Sequence, residues 1–95
     1  MKVVWSRRAL RRLTHVRDYI AKDDPKAAEN IASRILESVE RLAAHPHIGR
    51  SGRIVGTREL VVSGTPYIVP YRIRDERLEL IAVFHGRHKW PAKLA

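Results

Sequence analysis

The chain predicts an α+β fold in the order β-α-α-β-β-β, with a helical hairpin packed on one face of an antiparallel-dominated sheet. Three observations predict it. A short Val- and Trp-containing run opens the chain. Two stripes at helical spacing follow, parted by a capped turn. Three β-rich runs separated by turn-sized polar links complete it. At 95 residues, positions 1–95 make a single domain with one modest core.

Lys2–Trp5 is the first strand, and Ser6 is placed to cap a helix running to about Ala21. The stripe of that helix is Ala9, Leu13, Val16 and Ile20, widened by Leu10 and Tyr19. Its opposite face carries Arg7, Arg8, Arg11 and Arg12. Arginines in a first turn oppose the helix dipole, and 7/11 and 8/12 are like-charge neighbours. Each such pairing costs roughly a few tenths of a kcal/mol. A one-sign cluster at the wrong helix end marks Arg8, Arg11 and Arg12 as candidate partner-binding residues, against the plainer role of a solvated face.

Asp24 caps a second helix and Pro25 takes its first position, where a missing N–H costs nothing. That helix runs to about Ala43 on the stripe Ala28, Ile31, Ala32, Ile35, Val39 and Leu42, with Glu37 and Arg41 spaced for a solvent-side ion pair. Residues 44–53 read as a loop. The strands then predicted are Thr57–Val62, Tyr67–Ile73 and Leu78–His85. Pro70 interrupts the middle one, and a local irregularity is expected there because proline removes a ladder donor. The second sheet face is expected to stay open, flanked by the basic loop and the basic C-terminus.

Charge narrows the partners. Nineteen Lys and Arg stand against ten Asp and Glu, and fourteen of the cations are arginine. Residues 1–17 hold six bases and no acid, residues 18–40 three and six, residues 41–95 ten and four. Arginine favours bidentate contact with phosphate or carboxylate, so an anionic partner is expected. The chain has no cysteine, which excludes disulfides, thiolate chemistry and cysteine-based zinc sites. His45 and His47 share a loop but nothing supplies a third ligand, so neither metal nor cofactor is expected. No apolar run reaches the ~20 residues that span a bilayer, and no signal-like segment opens the chain. A cytoplasmic protein without membrane contact is the expectation.

The densest grouping of chemistry is terminal: the apolar run to Phe84 leads into His85, Gly86, Arg87, His88, Lys89 and Trp90. It joins further pieces, in order, into a pattern. These are Val4-Trp5-Ser6, Asp24-Pro25-x-Ala27-Ala28, Pro46-x-x-Gly49-Arg50, Gly56-Thr57-Arg58-Glu59-Leu60, Tyr67-Ile68-Val69-Pro70-Tyr71-Arg72 and Val83-Phe84-His85-Gly86-Arg87. Through them nearly the whole chain resembles the RelE/ParE superfamily of toxins from type II toxin–antitoxin modules.

The resemblance implies a growth-inhibiting toxin neutralised by a cognate antitoxin, whose C-terminal segment is often acidic and wraps the toxin. Operator DNA is contacted only through the antitoxin. Two mechanisms divide the superfamily: RelE-like members cleave mRNA on the ribosome, and ParE-like members inhibit DNA gyrase. Metal-independent RNA cleavage needs an activated 2′-hydroxyl, a proton donor for the leaving oxygen and cations for the phosphorane. By resemblance His85 and Arg87 fall near such positions. The middle-strand arginine of RelE-like enzymes aligns with Ile68. No tyrosine follows His85; Trp90 is the aromatic residue there and transfers no proton. Arg72 is a substitute cation, but four residues on it lies ~13 Å away on the same strand side.

The catalytic candidates, if the protein is an enzyme, are therefore His85, Arg87 and Arg72, and the enzyme is then a metal-independent mRNA endoribonuclease. ParE-like gyrase inhibition is preferred over it. A basic nucleic-acid-binding module would also explain the charge, but the stacking signature of an RNA-binding sheet and a helix-turn-helix are both missing. Target- or antitoxin-binding candidates are Arg50, Arg53, Arg58, His88, Lys89 and Trp90, with the helix arginines. Arg58 or Glu59 is expected to pair structurally with a neighbouring strand. Trp5, Tyr67 and Tyr71 are expected in the core or at its rim, and Trp90 as a cap over a sheet end.

Overall fold

The structure, a computed structural model, describes residues 1–87 and Trp90. His88 and Lys89 lie outside the described residues. Strand β1 (Lys2–Trp5) leads into helices α1 (Arg7–Ala21) and α2 (Pro25–Ala44). Strands β2 (Arg50–Ser51), β3 (Arg58–Val61), β4 (Tyr67–Arg74), β5 (Arg77–Leu80) and β6 (Phe84–His85) follow. The sheet order is β1-β5-β4-β3-β2, with β6 also paired to β4. Among the described residues only β1 and β5 pair in parallel; every other pairing is antiparallel.

Both caps form as their residue types require. Ser6 Oγ accepts from Ala9 N–H at 3.0 Å, and Asp24 Oδ1 accepts from Ala27 N–H at 3.0 Å. Ser6 does more than cap. Its N–H donates to Leu80 C=O at 3.1 Å and its hydroxyl to Ile81 C=O at 3.0 Å, which fixes the start of α1 against the end of β5.

The core lies between the hairpin and one sheet face. Ala9 and Val16 of α1 and Ile35, Val39 and Leu42 of α2 meet Leu60, Tyr67, Val69, Tyr71, Leu78 and Leu80. Trp5 is partly buried against this cluster. Tyr71 is fully buried; its hydroxyl donates to Pro46 C=O and accepts from Gly49 N–H, both at 2.9 Å. Position 49 must be glycine for that contact, since a β-carbon there would come within 2.5 Å of the Tyr71 ring.

Four expectations need correction. Leu10 and Tyr19 do not widen the α1 stripe: they are 50% and 66% exposed, and the face of α1 that meets the core is Ala9, Leu13, Val16 and Ile20. Glu37 and Arg41 do not pair; Arg41 Nη2 donates instead to Ser38 Oγ at 3.3 Å. The loop at 44–53 contains the short strand β2, registered Arg50 to Glu59 and Ser51 to Arg58. Finally, Leu78–His85 is not one strand.

That last difference locates the irregularity expected at Pro70. Tyr71 pairs with Leu80, but Ile68 pairs with Phe84. Three residues, Ile81–Val83, therefore face two, Val69 and Pro70, which is a bulge. Pro70 brings no donor to the ladder, but its carbonyl accepts from Ile81 N–H at 2.9 Å. The partner strand absorbs the misfit while β4 runs unbroken.

Candidate functional site: the second sheet face and the α1 cleft

Tyr67, Val69, Tyr71 and Ile73 point to the helices, so Ile68, Pro70, Arg72 and Arg74 point to the second face. This face is not bare along its length, as the sequence suggested. Ile68 is only 7% exposed and Pro70 is fully buried. Nearby, Phe84 stands opposite Ile68, Trp90 packs on Phe84 with ring centroids 4.7 Å apart, and Arg53 stacks on Trp90 at 3.6 Å. Trp90 thus caps a sheet end, as its composition implied.

Two carboxylates organise the arginines here. Glu59, opposite Pro70, is 3% exposed. Its Oε1 accepts from Arg50 Nε at 3.1 Å and Nη2 at 3.0 Å. Its Oε2 accepts from Arg53 N–H at 2.9 Å and Nε at 3.1 Å. Burial pushes this carboxyl up, but the Arg53 backbone N–H and the two guanidiniums outweigh it and hold the group below its ordinary value. Glu79 binds Arg72 Nε at 2.7 Å and Arg74 Nη2 at 3.3 Å. The Arg72 hydrogen bond is the main reason the Glu79 carboxyl is also lowered.

Arg50 and Arg53 are therefore first of all the partners of Glu59, and Glu59 is the residue that pairs with a neighbouring strand. Arg58 donates to two backbone carbonyls, Gly49 at 2.9 Å and His47 at 3.2 Å. All three arginines hold the 47–53 loop to β3, and Arg50 and Arg53 still keep about half of their side-chain surface exposed.

The three catalytic candidates do not converge. Arg72 and Glu79 line a cavity of about 400 Å³ with Arg8 and Arg11. His85 pairs in register with Tyr67, not Ile68, so it faces the helix side. There it lines a second cleft, of about 490 Å³, with Arg12, His15, Tyr19 and Tyr67. The Tyr67 and His85 rings meet edge to face at 5.6 Å. Burial pushes the Tyr67 phenol up, nearby Tyr19 adds to this, and Arg12 partly offsets it. Arg12 Nε also donates to Val83 C=O at 3.3 Å. Arg87 N–H donates to His85 Nδ1 at 3.2 Å. Arg72 and Tyr67 are five residues apart on opposite faces of β4, a span of ~17 Å.

His15 and Tyr19 line this cleft and join the candidates, which strand-centred reasoning misses. Their signal is the spacing 12, 15, 19, which sets one cation, one imidazole and one phenol along a single flank of α1. The cleft brings together acid–base groups and a cation. The second face offers paired arginines and an aromatic cap. Among the described residues no group of three or more His, Asp or Glu could hold a metal ion.

Comparison with known proteins follows the same outline. Residues 3–90 match the family model for the ParE toxin of the type II toxin–antitoxin system parDE. The chain is 47% identical to Y4kP of Sinorhizobium fredii over 98% of this chain and 96% of that protein. It is 38% identical to toxin RelE2 of Caulobacter vibrioides over 90% of this chain and 94% of that protein. A solved structure of the chromosomal ParDE toxin–antitoxin system from P. aeruginosa has the same fold: TM-score 0.82, 24% identity, 90% of this chain and 95% of that one. The chain belongs to the ParE toxin family of type II toxin–antitoxin systems, within the RelE/ParE superfamily.

Proposed function

We propose that the protein arrests growth by inhibiting DNA gyrase and that a cognate antitoxin with an acidic C-terminal segment neutralises it in the cytoplasm. What carries this reading is the row Val61, Ile68 and Phe84. A nuclease on the second face would want a cation on the middle strand to stabilise the phosphorane. That row is apolar, and the histidine beside it turns toward α1. Net positive charge and the half-exposed arginines suit an acidic antitoxin segment, whose binding would satisfy guanidiniums that water now solvates. Operator DNA is reached through the antitoxin.

One observation favours a second function, ribosome-dependent mRNA cleavage. The α1 cleft holds His15, His85, Tyr67 and Arg12, the residue types that acid–base cleavage of a phosphodiester uses. Expression from a tight inducible promoter tests the common part of both. Growth stops on induction, and co-expression of the cognate antitoxin restores it. Normal growth with abundant folded protein would refute the toxin assignment.

A further inference from the structure

The cavity between the start of α1 and the second sheet face has a composition that points to a particular ligand. Three guanidiniums, Arg8, Arg11 and Arg72, line it against one carboxylate, Glu79. That carboxylate is already engaged by Arg72 Nε and Arg74 Nη2. Arg8 Nη1 is buried and has no hydrogen-bond partner among the described residues. A buried, unpaired guanidinium N–H carries a desolvation cost that a bound acceptor removes. No ion pair is formed by Arg8 or Arg11 among the described residues. The sequence anomaly, arginines at the positive end of a helix dipole, falls on this same wall.

We propose that this cavity is an oxyanion pocket that receives one Asp or Glu side chain of the bound antitoxin segment. The identity of that partner rests on the toxin assignment above. Two features select a side-chain carboxylate over a phosphate. Val4 and Ile81 give the cavity apolar walls suited to a methylene stem. Glu79, facing the ligand, repels a phosphate dianion more strongly than a singly charged carboxylate. Arg8 supplies the buried donor, Arg72 the fork on the sheet side, and Arg11 the entrance. The helix arginines thereby regain the stability that their placement costs when antitoxin is bound.

The pocket and its occupant are tested separately. First, arginine Nε–H signals of the isolated protein are followed by NMR during titration with N-acetylglutamate methylamide, its glutamine analogue and inorganic phosphate. The expected result is saturable shifts at Arg8, Arg11 and Arg72 with the glutamate probe, absent with the glutamine probe and weaker with phosphate. Shifts spread evenly over all arginines, none at all, or stronger response to phosphate overturn the pocket. Second, antitoxin affinity is measured for R8Q, R11Q and R34Q, the last a control on α2. R8Q and R11Q raise Kd about tenfold or more, as loss of a charge-assisted hydrogen bond requires, and R34Q does not. Parent-like affinity in both pocket variants overturns the assigned occupant. If the parent protein itself fails to bind antitoxin, the toxin assignment falls, and the probe titration still judges the pocket.

Discussion

Replacing Glu59 by Gln isolates what the buried carboxylate contributes. The variant keeps size and one acceptor but removes the charge, and it turns an NH2 toward either Arg50 or the Arg53 backbone N–H. Three groups donate to the native carboxylate. The backbone N–H of Arg53 loses a charge-assisted hydrogen bond, worth about 1–1.5 kcal/mol here. The two guanidiniums are 55% and 43% exposed, so each pair is discounted to about 0.5 kcal/mol. The loss totals about 2–2.5 kcal/mol, or a fall in Tm of roughly 8–20 °C for a domain of this size. Urea unfolding followed by Trp fluorescence measures it. The pH dependence supplies an independent signature. Because the folded-state pKa lies below the ordinary 4.5, the native pair stabilises above that value and loses its contribution as pH falls through the folded pKa. The gap between native protein and variant is therefore full at pH 7 and closes in strong acid. A gap below about 0.5 kcal/mol at pH 7, or one that does not change with pH, would refute the role assigned to Glu59.

Three further outcomes are expected. Tyr71→Phe leaves Gly49 N–H and Pro46 C=O unpaired beneath a fully buried ring and costs about 2–3 kcal/mol in urea unfolding; an unchanged midpoint would contradict it. Glu76→Gly stabilises, because Asp75 and Glu76 form the two-residue β4–β5 turn with φ of 53° and 59°. Relief of the left-handed penalty less the entropy of glycine gives about 0.5–1 kcal/mol, read as a rise in Tm of a few degrees; a lower Tm would count against it. The double variant His85→Ala, Arg87→Ala relieves growth arrest while its circular dichroism stays native, and full toxicity with normal expression would remove the terminal cluster from the active surface.

Much of the fold is legible in the residues because local chemistry and tertiary demand agree. Ser6 and Asp24 are good caps in any context, and the stripe Ala28, Ile35, Val39, Leu42 has only one face to bury. What escapes is set by partners distant in sequence. Strand β2 is two residues long, too short for an alternation, and exists because Glu59 draws Arg50 to the edge of β3. The bulge at Ile81–Val83 leaves no mark in its own apolar run; its cause is a proline on the neighbouring strand. The candidate site divides similarly. That Arg50, Arg53 and Glu59 matter is readable from their types, but that they are partners of one another is not. His85 reads as a candidate from its type and its place at a strand end, whereas its face depends on the one-residue bulge that turns it toward His15 and Tyr19. Arg8 and Arg11 look misplaced on an isolated helix. Their placement acquires a rationale only when Arg72 and Glu79 come to lie opposite them.

The most direct test sets two assays beside each other on one purified sample: supercoiling by DNA gyrase, and cleavage of mRNA on programmed ribosomes. The predicted result is loss of supercoiling, restored by antitoxin, with the mRNA intact. Site-specific cleavage in the ribosomal A site with gyrase unaffected would contradict it and would move the chemistry to the α1 cleft around His85 and His15.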